Sequence, residues 1–502
     1  MDGNRCPHAA VREPSVVWAW MSTRLSGSVM GSAGSCPCKH RQRQDFRFML
    51  QIATTEKRLF PLHLPPIDWL FHNDDRPDYP MVSYIELDFS GPIDRGLLAD
   101  ALITALGRHP LLIAKIERAK ASRLCWVPIS EGYPEVVWLD ENEPLVEEPL
   151  DIRSGPGLRI WGRPTAEGTR LTLQVHHAAT DGTGAYRFIG DWLVAYGQRL
   201  PGVGDQCEFG EIDARTLRSR RNKMLGSDGP ADIWDLWRES LKELWRMNTE
   251  RISPLKCPAE RPLPNRQPKI QTQWFDAAAH KRLRDLATAR GVMLNDLLLW
   301  QLFRAIGIWN AEGSGPKARG NTVRVLVPAD MRDGDDFAMP AANMTAYTFV
   351  TCRAAEWKSD AMLDKIRGET AKIKSGTPQH DYAKAITGAM NTPRLTRWLL
   401  KGNRCFATAV LSNAGDPARR FTGRLPRSGG KVRLGELTLE KITGVPPLRS
   451  LTHASVSVSS YGRGMAVSMR CDPRYFGDAG TQDFLKLYCD QLSTLLTPEL
   501  VG

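Results

Sequence analysis

Within seven residues of this chain stand two adjacent histidines, an aspartate and a glycine: His176-His177-Ala178-Ala179-Thr180-Asp181-Gly182. Imidazole titrates near neutral pH, so a histidine placed at a site rim can take a proton from an attacking hydroxyl or amine. The aspartate, four residues after His177, can reach back to a nearby cation or fix the turn. Gly182 lets another backbone or a substrate come close. This HHxxxDG pattern closes an apolar run, Leu171-Thr172-Leu173-Gln174-Val175, which puts the imidazoles at the edge of a sheet. Alternation along that strand predicts Leu171, Leu173, Val175 and His177 on one face, with Thr172, Gln174 and His176 on the other. The two rings therefore have different jobs: His177 reads as a general base and His176 as structural.

The elements that must position this cluster are spread over 502 residues, long enough for two domains or two large lobes. A hydrophobic share of 42% and a charged share of 25% describe an ordinary globular chain. Ten cysteines lie scattered and form no dense disulfide framework, which makes a reducing cytoplasm the expected compartment. No stretch approaches the roughly 18 apolar residues of a membrane span. The formal net charge is +11, an excess that attracts phosphates, acidic carriers or anionic lipid without choosing among them. Arg215, Arg218, Arg220, Arg221 and Lys223 concentrate part of it. No stacking aromatics interleave with that cluster, so nucleic acid is not the expected partner.

Four regions follow along the chain. Residues 1–58, rich in Ser, Gly and Arg, read as a disordered basic extension; Cys6, His8, Cys36, Cys38 and His40 there match no closed zinc pattern. Residues 59–202 form a lobe carrying HHxxxDG. Its pattern predicts a strand over 82–89, a helix over 94–107 halted before Pro110, a hairpin of 158–161 with 170–176, and a helix over 184–196. Residues 203–267 form a helical, basic connector. Its amphipathic stretch 231–251 is expected to lay its tryptophans on the protein's own body, with a lipid surface as the functional alternative. Residues 268–502 form a second lobe with helices over 277–290, 294–310 and 482–496. Its predicted strands cover 323–327, 346–352 and 407–411, followed by a hairpin of 454–460 with 465–471.

HHxxxDG at 176–182 resembles the active-site motif of the acyltransferase superfamily that includes chloramphenicol acetyltransferase, nonribosomal-peptide condensation domains and wax ester synthases. Arg108-His109-Pro110-Leu111-Leu112 resembles the "rHPlLR" segment of that superfamily, and Gly291 to Leu299 its "GvtxNDvll" helix. Val327-Pro328-Ala329-Asp330-Met331-Arg332 is similar to "PVxxR", with Ala342-Asn343 where "GN" often stands. Leu411-Ser412-Asn413 and Ser459-Ser460-Tyr461-Gly462 are similar to later "SN" and "SYxG" segments. The likeness spans about 60 to 497. The plant-type signature DFGWG is absent and no carrier domain is visible.

The resemblance implies an α/β fold of the α+β two-layer sandwich type. It implies two chloramphenicol-acetyltransferase-like lobes with an active-site tunnel between them. It implies transfer of an acyl group from an acyl-CoA or acyl-carrier thioester to a hydroxyl or amine acceptor, with His177 as general base. Peptide-bond condensation on carrier-bound substrates and a non-catalytic binding protein of the same fold are the alternatives. His177, Asp181 and His176 form the candidate catalytic set. Asp181 reads as an anchor, because a carboxylate beside an Arg keeps a low pKa; the resemblance makes Arg332 its partner, and a cap on the helix near Gly184 is the alternative. Gly182, Arg332, Asn343 and Ser412 are expected to bind substrate or support the site, Asn343 and Ser412 as oxyanion donors. No metal or bound cofactor is expected. The expected partners are the thioester donor, a small alcohol or amine, and a membrane surface touched peripherally, as in lipid or secondary metabolism.

Overall fold

The computed structural model describes residues 59–119, 123–145, 149–226, 234, 236–239, 241–242, 249–258, 270–312, 322–353, 356–401 and 404–497. The chain divides into two units, 1–60 and 61–502, and the fold and the site lie in the second. The readings made for 1–58, and most of those for 231–251, fall outside the described residues.

The first half runs β1 (Leu62–His63), α1 (Pro66–Asp74), β2 (Val82–Ser90), α2 (Arg95–Arg108), β3 (Ala114–Arg118), β4 (Leu124–Pro128), β5 (Val136–Trp138), β6 (Leu158–Thr165), β7 (Gly168–His176) and α3 (Gly182–Gly197). α2 starts where expected because the Asp94 carboxylate accepts from the Leu97 N–H at 2.9 Å, a cap worth about 1 kcal/mol. It stops at Pro110, which opens a single 3-10 turn before β3. Leu98, Ala101, Leu102 and Leu106 form its buried stripe. They pack with Phe188, Ile189, Trp192 and Leu193 of α3, and the Trp192 indole donates to the Leu98 carbonyl.

The short helix α4 (Arg220–Leu225) lies in the connector. The second half runs β8 (Gln271–Phe275), α5 (Ala277–Ala289), α6 (Leu294–Glu312), β9 (Thr322–Asp330), β10 (Thr345–Arg353), α7 (Ala361–Lys374), α8 (Thr377–Met390) and α9 (Pro393–Lys401). It ends with β11 (Ala409–Gly415), β12 (Arg427–Ser428), β13 (Lys431–Leu434), β14 (Leu437–Val445), β15 (Ala454–Tyr461), β16 (Gly464–Cys471) and α10 (Gly477–Thr494). Its six-stranded sheet has the order β10-β9-β11-β15-β16-β8. Val456, Val458, Val467 and Met469 from that sheet pack with Leu298, Leu302 and Phe303 of α6 and with Phe484 and Tyr488 of α10.

The other large sheet has the order β12-β13-β14-β2-β7-β6-β5. Three of its seven strands therefore come from the second half. β14 pairs antiparallel with β2, Leu439 opposite Phe89 and Val445 opposite Tyr84. β2 pairs in turn with β7, Val82 opposite His176. The fold is the expected mixed α and β architecture, but the halves are not self-contained sheets.

Among the described residues no single helix is long and apolar enough to cross a membrane. The described cysteines are all free thiols. Trp234 is 78% exposed and Leu241 59%, while Leu236 is buried. This corrects the expectation that the apolar face of 231–251 lies wholly on the body, since the exposed Trp234 and Leu241 alternate with the buried Leu236. The basic cluster is divided: Arg215, Arg218 and Arg221 are exposed, whereas Arg220 and Lys223 turn inward. Arg220 is fully buried against Asp68, Lys223 is paired with Asp336 and Asp333, and Arg215 with Asp213.

Candidate active site

β7 ends at His176, and the chain turns there: the Ala179 N–H donates to the His176 carbonyl at 2.9 Å. The rings then part. His176 is fully buried; its Nδ1 accepts from the Ala178 N–H at 3.1 Å, which leaves the proton on Nε2, 3.5 Å from Asp75 Oδ1. That Nε2 has no hydrogen-bond partner among the described residues, and it is the burial of the ring that keeps it from a substrate. His177 instead lies beneath Phe71 of α1, stacked at 4.3 Å between centroids and 14° between planes. It is 7% exposed, so the channel mouth expected at this ring is covered in the structure.

Asn343, from the far half of the chain, supports His177 from the side. Its Nδ2 donates to the His177 carbonyl at 2.7 Å and sits 3.4 Å from Nδ1, while its Oδ1 accepts from the Thr345 N–H. Burial pushes the His177 imidazole down to about 4. The Asp181 charge and a hydrogen bond to the residue's own carbonyl pull the other way, and His176 adds slightly to the fall. A neutral imidazole is the form a general base requires.

Asp181 caps α3 and pairs with Arg332 at once, so the two readings of it are not alternatives. Oδ1 accepts from the Gly184 N–H at 2.8 Å and from Arg332 Nη2 at 3.0 Å. Oδ2 accepts from Arg332 Nη1 at 2.9 Å, the Met344 N–H at 2.7 Å and the Thr345 hydroxyl at 3.1 Å. Burial works to raise this carboxyl, but Arg332 and the two backbone donors outweigh it and hold the group below its ordinary value. Asp181 is a fixed anion facing away from proton transfer. Arg332 also donates to the Ala342 carbonyl at 2.7 Å and to Asp330 at 2.9 Å.

The segment 333–344 thus becomes a crosspiece between the halves. Arg187 of α3 donates to the Asp336 and Met339 carbonyls. The Ala341 N–H donates to His109 Nδ1 at 2.8 Å, which turns the His109 Nε2 proton toward Asp191 at 3.2 Å. Thr180 donates to the Ala342 carbonyl. Gly184 is the glycine this crossing requires: a Cβ there would lie 2.1 Å from Thr180 Oγ1 and 2.7 Å from the Ala342 carbonyl oxygen. Gly182, expected to let another backbone or a substrate come close, has open space beside it, its nearest neighbour being the Tyr186 ring at 3.9 Å. Ser412 lies on β11 opposite Ser457 of β15, and no hydrogen bond joins it to the His177 cluster among the described residues. A cavity of about 340 Å³ adjoins the far side of Arg332, lined also by Asp330, Lys374, Gln379 and His380; His177 does not line it.

Phe71, His109, Gly184 and Thr345 join this site without having been singled out for it from sequence. Only His109 had a signal there, within the "rHPlLR" segment. A covered imidazole has a measurable consequence. His177 remains neutral until about pH 4, so the acid limb of any reaction it serves as base should lie near pH 4. Phe71→Ala should admit water and move that limb upward, toward about 6.5. In stability the sign is equally definite. His177 and His72 are both lowered to about 4 by burial, so the unfolded chain takes up protons first as the pH falls. Melting temperature should drop between about pH 6.5 and pH 4 and lose this contribution to its slope below. A pH series of kcat/KM and of melting curves for both proteins checks the pair.

No family model matches the chain. It is 25% identical over 456 residues to uncharacterized protein Rv2305 of Mycobacterium tuberculosis (strain ATCC 25618 / H37Rv), which covers 86% of this chain and 99% of that protein. Among solved structures it is similar to the first condensation domain of the calcium-dependent antibiotic synthetase, with a TM-score of 0.58 and 15% identity over 87% of this chain and 95% of that one. It is similar also to trichothecene 15-O-acetyltransferase from Fusarium sporotrichioides, with a TM-score of 0.59 and 10% identity over 86% of this chain and 94% of that one. Similarity of such extent at such low identity establishes the architecture: the chain has the two-lobed fold shared by condensation domains and acyltransferases of the chloramphenicol acetyltransferase type.

Proposed function

We propose that this protein is an acyltransferase that moves an acyl group from an acyl-CoA or acyl-carrier thioester to a hydroxyl or amine acceptor. The observation that carries the reading is the His177 imidazole, held neutral by burial between Phe71 and Asn343 beside an aspartate already committed to Arg332. A thioester is activated, so no covalent enzyme intermediate is needed. The acceptor oxygen or nitrogen attacks the thioester carbonyl carbon while Nε2 of His177 takes its proton. The tetrahedral oxyanion then collapses, the carbon–sulfur bond breaks, and the imidazolium returns the proton to the departing thiolate. An ester or amide and a free thiol leave. The Asn343 amide donates to the His177 carbonyl, so it acts here by holding the base.

Condensation on carrier-bound substrates is the second reading, favoured by the similarity to a condensation domain. Both readings use the same base and differ in the acceptor, a free alcohol or amine in the first and a carrier-bound aminoacyl group in the second. Incubating the purified protein with acyl-CoA and carrier-loaded acyl donors and with alcohol or amine acceptors, and following thiol release, tests the first. Release that requires a free acceptor supports it. Release only with a carrier-bound aminoacyl acceptor moves the assignment to the second. No release above the His177→Ala level with either donor rejects both.

A further inference from the structure

We propose that Arg220, from the connector between the two halves, is a positioning residue for His177 that acts through Asn343; the proposal rests on the acyl-transfer reading. Arg220 opens α4 and is 0% exposed. Its Nη1 lies 3.0 Å from Asp68 Oδ2 and donates to the Asn343 carbonyl at 3.3 Å, and its Nε donates to the Leu217 carbonyl. The Asn343 side chain then holds His177 at 2.7 Å. One residue is thus gripped at its backbone by the connector and grips the base with its side chain.

The same guanidinium governs the other face of the ring. Asp68 lies on α1 three residues before Phe71, on the same side of the helix. Asp68 is fully buried, and the Trp126 indole donates to it at 2.9 Å. α1 therefore cannot shift, nor carry Phe71 off the imidazole, without disturbing the Asp68–Arg220 pair. One cation sets the distance between the element bearing Phe71 and the element bearing Asn343, with His177 between them.

A buried ion pair is a poor source of stability, because the attraction between its members is largely offset by their lost hydration. Arg220 Nη2 is buried with no hydrogen-bond partner among the described residues, so its burial is incompletely compensated. What the pair supplies is geometry, through a planar fork that a lysine does not reproduce. The residue touches neither base nor substrate; its effect passes through Asn343 and, by way of Asp68, through the helix that carries Phe71.

The test uses the full chain, with the acyl-CoA and acceptor found by thiol release, and compares Arg220→Lys, Arg220→Met, Asn343→Ala and Arg220→Lys/Asn343→Ala. Arg220→Lys should lower kcat by about tenfold or more with KM for the acyl-CoA within about twofold. The double variant should lose less than the product of the two single losses, since both variants disturb the Asn343 path. The ¹⁵N resonances of His177, assigned with His177→Gln, should shift in Arg220→Lys, with an altered titration midpoint. Wild-type kcat in Arg220→Lys, or losses that multiply in the double variant, would overturn the proposal. Should Arg220→Met fail to fold, Arg220→Lys decides alone. Should the wild-type protein release no thiol, the acyl-transfer reading fails by itself and the His177 spectrum still decides the positioning role: unchanged resonances in Arg220→Lys reject it.

Discussion

His177→Ala is expected to lower acyl transfer by about 10²–10⁴-fold while leaving the melting temperature near that of the parent protein. The two halves of that result have separate physical grounds. The rate falls because the acceptor loses the group that takes its proton, and no neighbour can substitute. Asp181 is an anion held by Arg332 and backbone donors, and His176 is committed to Ala178 and Asp75. The fold persists because the backbone of His177 retains its bonds, its N–H to the Met81 carbonyl at 2.8 Å and its carbonyl to Asn343. Removing the ring leaves a gap under Phe71, which weakens packing, but it also removes an imidazole that burial kept from charging. Thiol release in parallel with a melting curve reads both. Retained turnover in a folded His177→Ala would overthrow the assignment of the base.

Arg332→Ala is expected to do the opposite, damaging the fold as much as the chemistry. It leaves the Asp181 carboxylate, which is 4% exposed, without its cation and takes one of three donors from the Ala342 carbonyl at the crosspiece. Deleting one member of a buried pair costs about 3–5 kcal/mol, and the donors that remain to Asp181 from Gly184, Met344 and Thr345 place this loss at the lower end. For a domain above 150 residues, about 3 kcal/mol corresponds to a drop of roughly 6–12 °C in melting temperature. Acid should ease the loss. Protonating Asp181 discharges the stranded group, so the gap between parent and variant should narrow as pH falls, closing below the ordinary carboxylate range, where the parent's depressed carboxyl is protonated in turn. Asp181→Asn should hurt less than Arg332→Ala at neutral pH, since Arg332 keeps Asp330 as a partner at 2.9 Å. Urea melts at two pH values measure this; equal stability of Arg332→Ala and parent at pH 7 would show that the pair does not hold the halves together.

The local parts of this arrangement were legible in the sequence. β7, the HHxxxDG turn and α3 follow from an alternating run, two histidines and an Asp cap. α2, α6 and the β15–β16 hairpin carry strong periodicity. Arg332 and Asn343 came from resemblance, since nothing in their own surroundings marks them as neighbours of His177. Phe71 and Arg220 gave no signal: a phenylalanine in an apolar segment and an arginine in a basic run look like core and surface. Long-range pairing decides both, and only the folded chain supplies it. The same holds for Gly184, whose need for glycine comes from a backbone more than 150 positions away. α7, α8 and α9 were not read as helices, although Met362, Ile366 and Ile373 of α7 recur at helical spacing.

The crossing of β14 onto β2 has a consequence for how this protein is made. Until residues 437–445 leave the ribosome, β2 can pair on one side with β7 and has a bare row of amide and carbonyl groups on the other. The amino-terminal part of the nascent chain must therefore wait, with that seam open, through the synthesis of more than half of the polypeptide. Assembly of the seven-stranded sheet is a closing event, and the order of translation makes it one of the last.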